Sequence, residues 1–193
     1  QMRLVELLSV VDMLILFLLI IEQSLSSMRI IRKNRILEQK AYIDVHTGLP
    51  NKSKCEELFS DMSFITEPTA CLMFDLNNLK SANDTLGHSA GDQLIASFAR
   101  VLRNVIPAKD FVGRYGGDEF VVILYNITEN TVNCLLTQLH NEVMQFNRGG
   151  NNIPISYAQG WAVSTDYTDC TLRTLFDKAD HFMYTNKVRV KSE

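Results

Sequence analysis

From Leu4 to Ile21 the chain is almost continuously apolar, and the stretch Met13-Leu14-Ile15-Leu16-Phe17-Leu18-Leu19-Ile20-Ile21 contains no polar side chain. A run of this kind does not stay bare on a soluble monomer, so lipid, a second helix or the chain's own core must cover it. As a helix those 18 residues would reach roughly 27 Å, close to the hydrocarbon thickness of a bilayer. Glu6 and Asp12 interrupt the run. Arg29, Arg32, Lys33, Arg35 and Lys40 follow it, the basic flank expected on the cytoplasmic side of a spanning helix. That orientation anchors the chain in the inner (cytoplasmic) membrane and puts everything downstream in the cytosol. No small-residue cleavage site follows, so a cleaved signal peptide is the poorer reading. Overlaid on the run, Leu4, Leu7, Val11, Leu14, Leu18, Ile21, Leu25 and Met28 recur at alternating gaps of three and four, the spacing of a coiled coil. A span continuing into a parallel helical stalk, a soluble coiled coil and a buried core helix all fit the pattern. The chain opens on Gln1, which leaves room for an upstream sensor domain.

The pattern divides the chain into a helical segment, residues 1–43, and a globular domain, residues 44–193. With 19 Lys and Arg against 22 Asp and Glu, the net charge of −3 offers no basic surface of the kind that phosphate neutralisation requires, and nucleic acid is not an expected partner. Cys55, Cys71, Cys134 and Cys170 are widely spaced, with no Cys-x-x-Cys pair, and read as free thiols in a reducing compartment. Within the domain, apolar runs alternate with amphipathic ones, the mark of a mixed α+β fold. Asn51 is placed to cap a helix running to about Met62. Ala70–Asp75 reads as a short buried strand ending in an acid, followed by a helical turn at Asn78–Ala82, a polar loop at Asn83–His88 and a helix from about Gly91 to Val105. Phe111–Tyr115 and Phe120–Leu124 read as two strands joined by the hairpin tip Gly116-Gly117-Asp118-Glu119. A helix over Glu129–Phe146, a strand over Ile153–Val163 and a helix over Leu172–Asn186 complete the chain.

This element order restricts the topology. A right-handed crossover makes the first two strands parallel, and the hairpin strand can pair antiparallel between them. Asp75, at the end of the first strand, then lies beside the tip that carries Asp118 and Glu119. Three carboxylates gathered together repel one another and raise their own pKa values unless a cation neutralises them. Oxygen-only donors of this sort suit Mg²⁺, which keeps water and substrate phosphates in its shell. A tip without side chains at Gly116 and Gly117 lets a phosphate or base approach the backbone. The residues therefore point to a metal-dependent nucleotide site.

Arg114-Tyr115-Gly116-Gly117-Asp118-Glu119-Phe120 resembles the signature of the GGDEF family, the diguanylate cyclases. The likeness extends through Asp44-Val45-His46-Thr47-Gly48-Leu49-Pro50-Asn51, Phe74-Asp75-Leu76-Asn77-Asn78-Leu79-Lys80, Asn83–Asp92, and Ala179-Asp180 with Tyr184 and Lys187. The resemblance implies a nucleotidyl-cyclase-like, ferredoxin-like core: a mostly antiparallel sheet flanked by helices and preceded by a long N-terminal helix. It also implies a reaction, in which two GTP condense to cyclic di-GMP and two pyrophosphates across a homodimer of facing domains. By the same likeness Asp75, Asp118 and the backbone carbonyl of Leu76 ligate Mg²⁺ (or Mn²⁺), and Asp118 or Glu119 assists deprotonation of the attacking hydroxyl. Asn83 and Asp92 occupy guanine-binding positions, with His88 in the same segment, and Lys80, Lys187 and Lys191 match positions that contact the triphosphate.

A carboxylate accepting from guanine N1–H and the exocyclic amine favours GTP over ATP. The chain departs from the family pattern in places. Lys191 replaces the usual arginine and loses its two-pronged geometry. Pro107 stands where relatives often carry the arginine of a product-binding surface, three residues before the acid matched by Asp110, so tight product inhibition there is not expected. His46 replaces a leucine and Asn77 a second acid. Taken singly, Asp75 reads as a strand-end acid, Gly116-Gly117 as a hairpin turn, and His140 and His181 as surface or packing residues. A catalytically silent GTP-binding scaffold is the alternative to the enzyme.

Overall fold

The computed structural model describes residues 2–127, 129–150 and 153–191, and side chains within them apart from residues 2–12, 34–40 and 189–191. The chain forms two compact units, Gln1–Ala41 and Tyr42–Glu193. The first consists of helix α1 (Met2–Tyr42). Within it Met13–Lys33 is long and apolar enough to cross a membrane, and Leu14, Leu18, Ile21, Leu25 and Met28 are all exposed. The N-terminal part of the apolar run, with Leu4, Leu7 and Val11, has its side chains outside the described set.

The second unit runs α2 (Lys52–Phe59), β1 (Thr69–Leu76), α3 (Leu79–Leu86), α4 (His88–Val105), β2 (Phe111–Arg114), β3 (Glu119–Tyr125), α5 (Glu129–Arg148), β4 (Tyr157–Val163) and α6 (Leu172–Lys191). Its four strands lie in the order β2-β3-β1-β4, each neighbouring pair antiparallel. β1 and β2 are thus parallel with the hairpin strand between them, as the crossover argument requires. β1 is buried along its whole length, and its alternation divides the core in two. Ala70, Leu72, Phe74 and Leu76 face one layer with Phe98 and Leu102 of α4 and Leu139 of α5. Cys71 and Met73 face the other with Phe59 of α2 and Phe176 and Ala179 of α6. Gly160 on β4 lets α6 approach, since a Cβ there would overlap the backbone of Ala179 and Met183.

Some expected boundaries shift. α2 ends at Phe59 rather than Met62, with Asn51 capping it by accepting from the Lys54 N–H. The expected polar loop Asn83–His88 is helical through Leu86, and α4 starts at His88, not Gly91. The whole connection is Gly87, at φ +86°: its N–H donates to the Asn83 carbonyl and its carbonyl accepts from Ala90. Asn, Asp and Thr are poor helix formers, but burial of Ala82 and packing of α3 on α4 override that preference. β4 begins at Tyr157, because Ile155 is instead fastened to Asn147 of α5 through both its N–H and its carbonyl. All four cysteines are free, and only Cys134 is exposed.

Candidate functional site

The end of β1 and the start of β3 bring the acids together. Asp75 is the cross-strand partner of Glu119, and the Leu76 N–H donates to the Asp118 carbonyl at 2.9 Å. Directly paired residues project from the same sheet face, so the Asp75 and Glu119 side chains both lie on the α6 side. There Lys187 of α6 places its ammonium 2.6 Å from Asp75 Oδ1. Asp75 is buried, and Oδ1 receives no aligned hydrogen bond despite that ion pair. Burial pushes the Glu119 carboxyl above its ordinary value, and the charges of Asp118, Asp180 and Asp75 push it further. Asp180 is likewise raised, by burial first and then by Asp177, with Asp75 adding a smaller share. Asp180 thus joins the cluster from α6, a member that the sequence pattern marked without giving it a role.

A crowded set of carboxylates, one of them buried and balanced by the Lys187 ammonium, fits a hard cation. Among the described residues no three His, Cys, Asp or Glu side chains are grouped to hold a metal by themselves, which is compatible with an expected ligand set of two carboxylates and a backbone carbonyl. Asp75, Asp118 and the Leu76 carbonyl are the oxygens available to such a cation, and Glu119 is turned back over Gly116. A Cβ at Gly116 would overlap Glu119 Oε2, so this glycine makes room for the carboxylate; the space around Gly117 is open and suits approach of a ligand.

Two side-chain networks hold the tip. Arg114 donates to Asp44 Oδ2 at 2.9 Å and to the Gly117 carbonyl at 2.8 Å, joining the start of the domain to the tip. Asp44 also accepts from the Thr47 N–H and hydroxyl. The Tyr115 hydroxyl donates to Glu56 on α2, and Arg173 on α6 binds the other oxygen of Glu56 at 3.2 Å. Burial and the Glu56 carboxylate push the Tyr115 phenol up to about 12, so it stays a donor. Neither network was assigned from the sequence, although Asp44, Arg114 and Tyr115 sit in its motifs. The partners are 70 and 59 residues apart, and no periodicity reports such ties.

The expected guanine contacts gather at the α3–α4 hairpin. Asn83 is half-buried, and its Oδ1 is buried without a hydrogen-bond partner. It packs against Gly91, where a Cβ would overlap it. Asp92, the next residue, is exposed and pairs with His46 at 3.5 Å. His88 is exposed at the start of α4. Lys80 and Lys187 reach a groove that also contains Leu76 and Asp118. Lys191 belongs to α6, but its side chain lies outside the described residues. Asp110 serves the fold, accepting from the Tyr125 N–H at 3.0 Å.

Residues 41–193 match the family model described as "Diguanylate cyclase, GGDEF domain". The chain is 32% identical over 189 residues to the signaling protein YkoW of Bacillus subtilis, covering 90% of this chain and 23% of that protein. It is 30% identical over 168 residues to the diguanylate cyclase TpbB of Pseudomonas aeruginosa, covering 80% of this chain and 37% of the relative. Among solved structures, the GGDEF domain of DgcB from Caulobacter crescentus, in complex with c-di-GMP, superposes with a TM-score of 0.66 at 26% identity, covering 77% of this chain and 91% of that one. The chain thus spans less than half of the length of these curated relatives. An acid-ended strand set against a Gly-Gly-Asp-Glu tip, the match over 41–193 and these likenesses agree: the chain belongs to the GGDEF family of diguanylate cyclase domains.

Proposed function

We propose that this chain is the catalytic module of a diguanylate cyclase, joining two GTP into cyclic di-GMP with release of two pyrophosphates as a homodimer of facing domains. The observation that carries the reading is the register that pairs Asp75 with Glu119 and ties Leu76 to Asp118. Asp75, Asp118 and the Leu76 carbonyl would hold Mg²⁺ or Mn²⁺. Bound there, the ion would neutralise phosphate charge and lower the pKa of a coordinated hydroxyl. The chain's own groups supply the rest. Asn83 and Asp92 read the guanine edge, the acid accepting from N1–H and the amine. Lys80, Lys187 and Lys191 balance the triphosphate, and Lys187 exchanges its contact with Asp75 for phosphate oxygen as substrate arrives. Asp118 or Glu119 takes the proton of the attacking 3′-hydroxyl, and burial together with the neighbouring acids holds the Glu119 carboxyl above its ordinary value, the direction that suits a base. Arg114 and the Tyr115–Glu56–Arg173 network keep the tip in place, and placement is most of what phosphoryl transfer asks of a protein.

α1 would anchor the chain in the membrane and pair it with a second copy beneath an upstream sensor. A relative of 25% identity is named an uncharacterized membrane protein, of Staphylococcus saprophyticus. Since one domain holds one GTP, the register of the helix pair then sets whether the two sites meet.

A second reading, a regulatory domain without turnover, draws support from relatives named cyclic di-GMP phosphodiesterases, such as PdeB of Shewanella oneidensis, 33% identical over 107 residues. One assay separates the two. The full chain in nanodiscs with GTP and Mg²⁺ should yield cyclic di-GMP by mass spectrometry, and Asp75→Asn should abolish it. GTP binding without product would establish the regulatory reading instead.

A further inference from the structure

The groove that Lys80, Asp118 and Lys187 reach, about 1150 Å³ in all, extends beyond them between Leu136, His140 and Met144 on α5 and Tyr157, Gln159 and Trp161 on β4, and that extension is left without a use by the acid cluster. Its wall is fastened just before β4. Asn147 of α5 exchanges two hydrogen bonds with Ile155, at 2.9 and 2.8 Å. At the next residue the Asn77 N–H donates to the Ser156 carbonyl at 2.9 Å and its Nδ2 to Ser156 Oγ at 3.1 Å. A groove framed this way is part of the fold, and its size is that of a small-molecule site.

Gln159 is the anomaly within it. It pairs with Phe74 across the sheet, on the face where β1 presents Leu72, Phe74 and Leu76 to the core. An apolar side chain would serve packing there; instead Gln159 Oε1 is buried with no hydrogen-bond partner among the described residues. A buried acceptor left unpaired opposes folding and calls for a donor from outside the chain. Strand addition at the β4 edge is the poorer source. The Ser156 carbonyl points toward β1, so by alternation that of Gln159 points to the free edge, where Asn186 already donates to it at 3.0 Å. A peptide strand would have to displace that cap.

Trp161 and Tyr157 line the groove beside the unpaired Gln159 Oε1, and aromatic walls next to an acceptor favour a planar heterocycle carrying an N–H donor. A glutamine amide matches the N6–H and N7 edge of adenine, and aromatic faces hold bases by stacking. We propose that the α5–β4 groove is a second small-molecule site, taking an adenine-type ring whose exocyclic amine donates to Gln159 Oε1 while its face rests on Trp161. The ring position at Gln159 and Trp161 is distinct from the expected guanine contacts on α3 and α4, although the groove is continuous with Lys80, Lys187 and Asp118, and the inference stands whether or not the chain makes cyclic di-GMP.

Trp161 is the sole tryptophan of the chain, so its emission reports directly on the groove. Adenosine titrated into the full chain in nanodiscs, with excitation at the indole band edge, should give a saturable change. Purine riboside, which lacks the exocyclic amine, should bind about tenfold more weakly, the scale of one lost neutral hydrogen bond. Gln159→Leu should weaken adenosine by a similar factor while melting no lower than the wild type. Saturating Mg²⁺–GTP should leave the adenosine curve in place. Absence of saturation, or equal binding of the two nucleosides, overturns the proposal without any variant having to fold. Displacement by GTP overturns it too, by making the groove a part of the nucleotide site already described.

Discussion

Gly91→Ala should separate stability from nucleotide affinity. Gly91 sits in the first turns of α4 without a positive φ, so alanine fits the backbone and should stabilise the helix by about 1 kcal/mol. The added methyl, however, overlaps Asn83 Oδ1 and stands 3.1 Å from Leu79 Cδ1. Asn83 ends in a flexible carboxamide, so the cheapest relief is rotation of that group out of its place rather than movement of α3. If Asn83 reads guanine, the contact is lost with its partner atoms left unpaired, about 1–3 kcal/mol or roughly 5- to 150-fold in affinity. Isothermal titration of Mg²⁺–GTP against wild type and variant, with thermal melting of both, gives the two signs side by side. A folded Gly91→Ala protein that melts no lower and binds GTP within twofold of wild type would refute the argument for Asn83. A fall in both quantities would show that the clash moves the backbone, and the rotation argument would fail.

The legible parts of this chain are those whose cause is local. The continuous apolar run of β1, the Gly-Gly tip and the apolar N-terminal run each state their structure within a few residues, and the crossover rule then brings Asp75 beside Glu119. What the sequence hid depends on partners far along the chain. The stretch Asn83-Asp84-Thr85 reads as loop by composition and is helix, because α4 covers α3 and Gly87 alone turns the corner. The Lys187 contact with Asp75 spans more than a hundred residues, and the same holds for Arg173 with Glu56. Gly116 reads as an opening for ligand, whereas the structure gives its missing side chain to Glu119 and leaves that opening to Gly117. A motif names the chemistry; which glycine serves it is settled only by where neighbouring side chains turn.

Two further outcomes test the organisation around the site. Leu25 and Met28 lie exposed on α1, 45% and 58%, so replacing both with Gln should lower specific activity at low protein concentration and shift sedimentation toward monomer. Unchanged activity and sedimentation would remove the paired-helix stalk from the account. The Asp44–Arg114 tie predicts a pH dependence of stability. Burial opposes ionisation of Asp44, but its hydrogen bonds from Thr47 and Arg114 and the Arg114 charge outweigh that, so its folded-state carboxyl lies below its ordinary value. A carboxyl so depressed contributes stability above its unfolded value near about 3.9, and that contribution is lost as pH falls through the folded value. Asp44→Asn keeps the shape but not the charge beside a mostly buried guanidinium, and should cost about 1–3 kcal/mol at neutral pH. Urea midpoints from pH 7 to 3 should therefore show wild type and variant converging at the acid end. A gap that stays constant over that range would mean that Asp44 acts through packing, and that the charge contributes nothing to holding the tip.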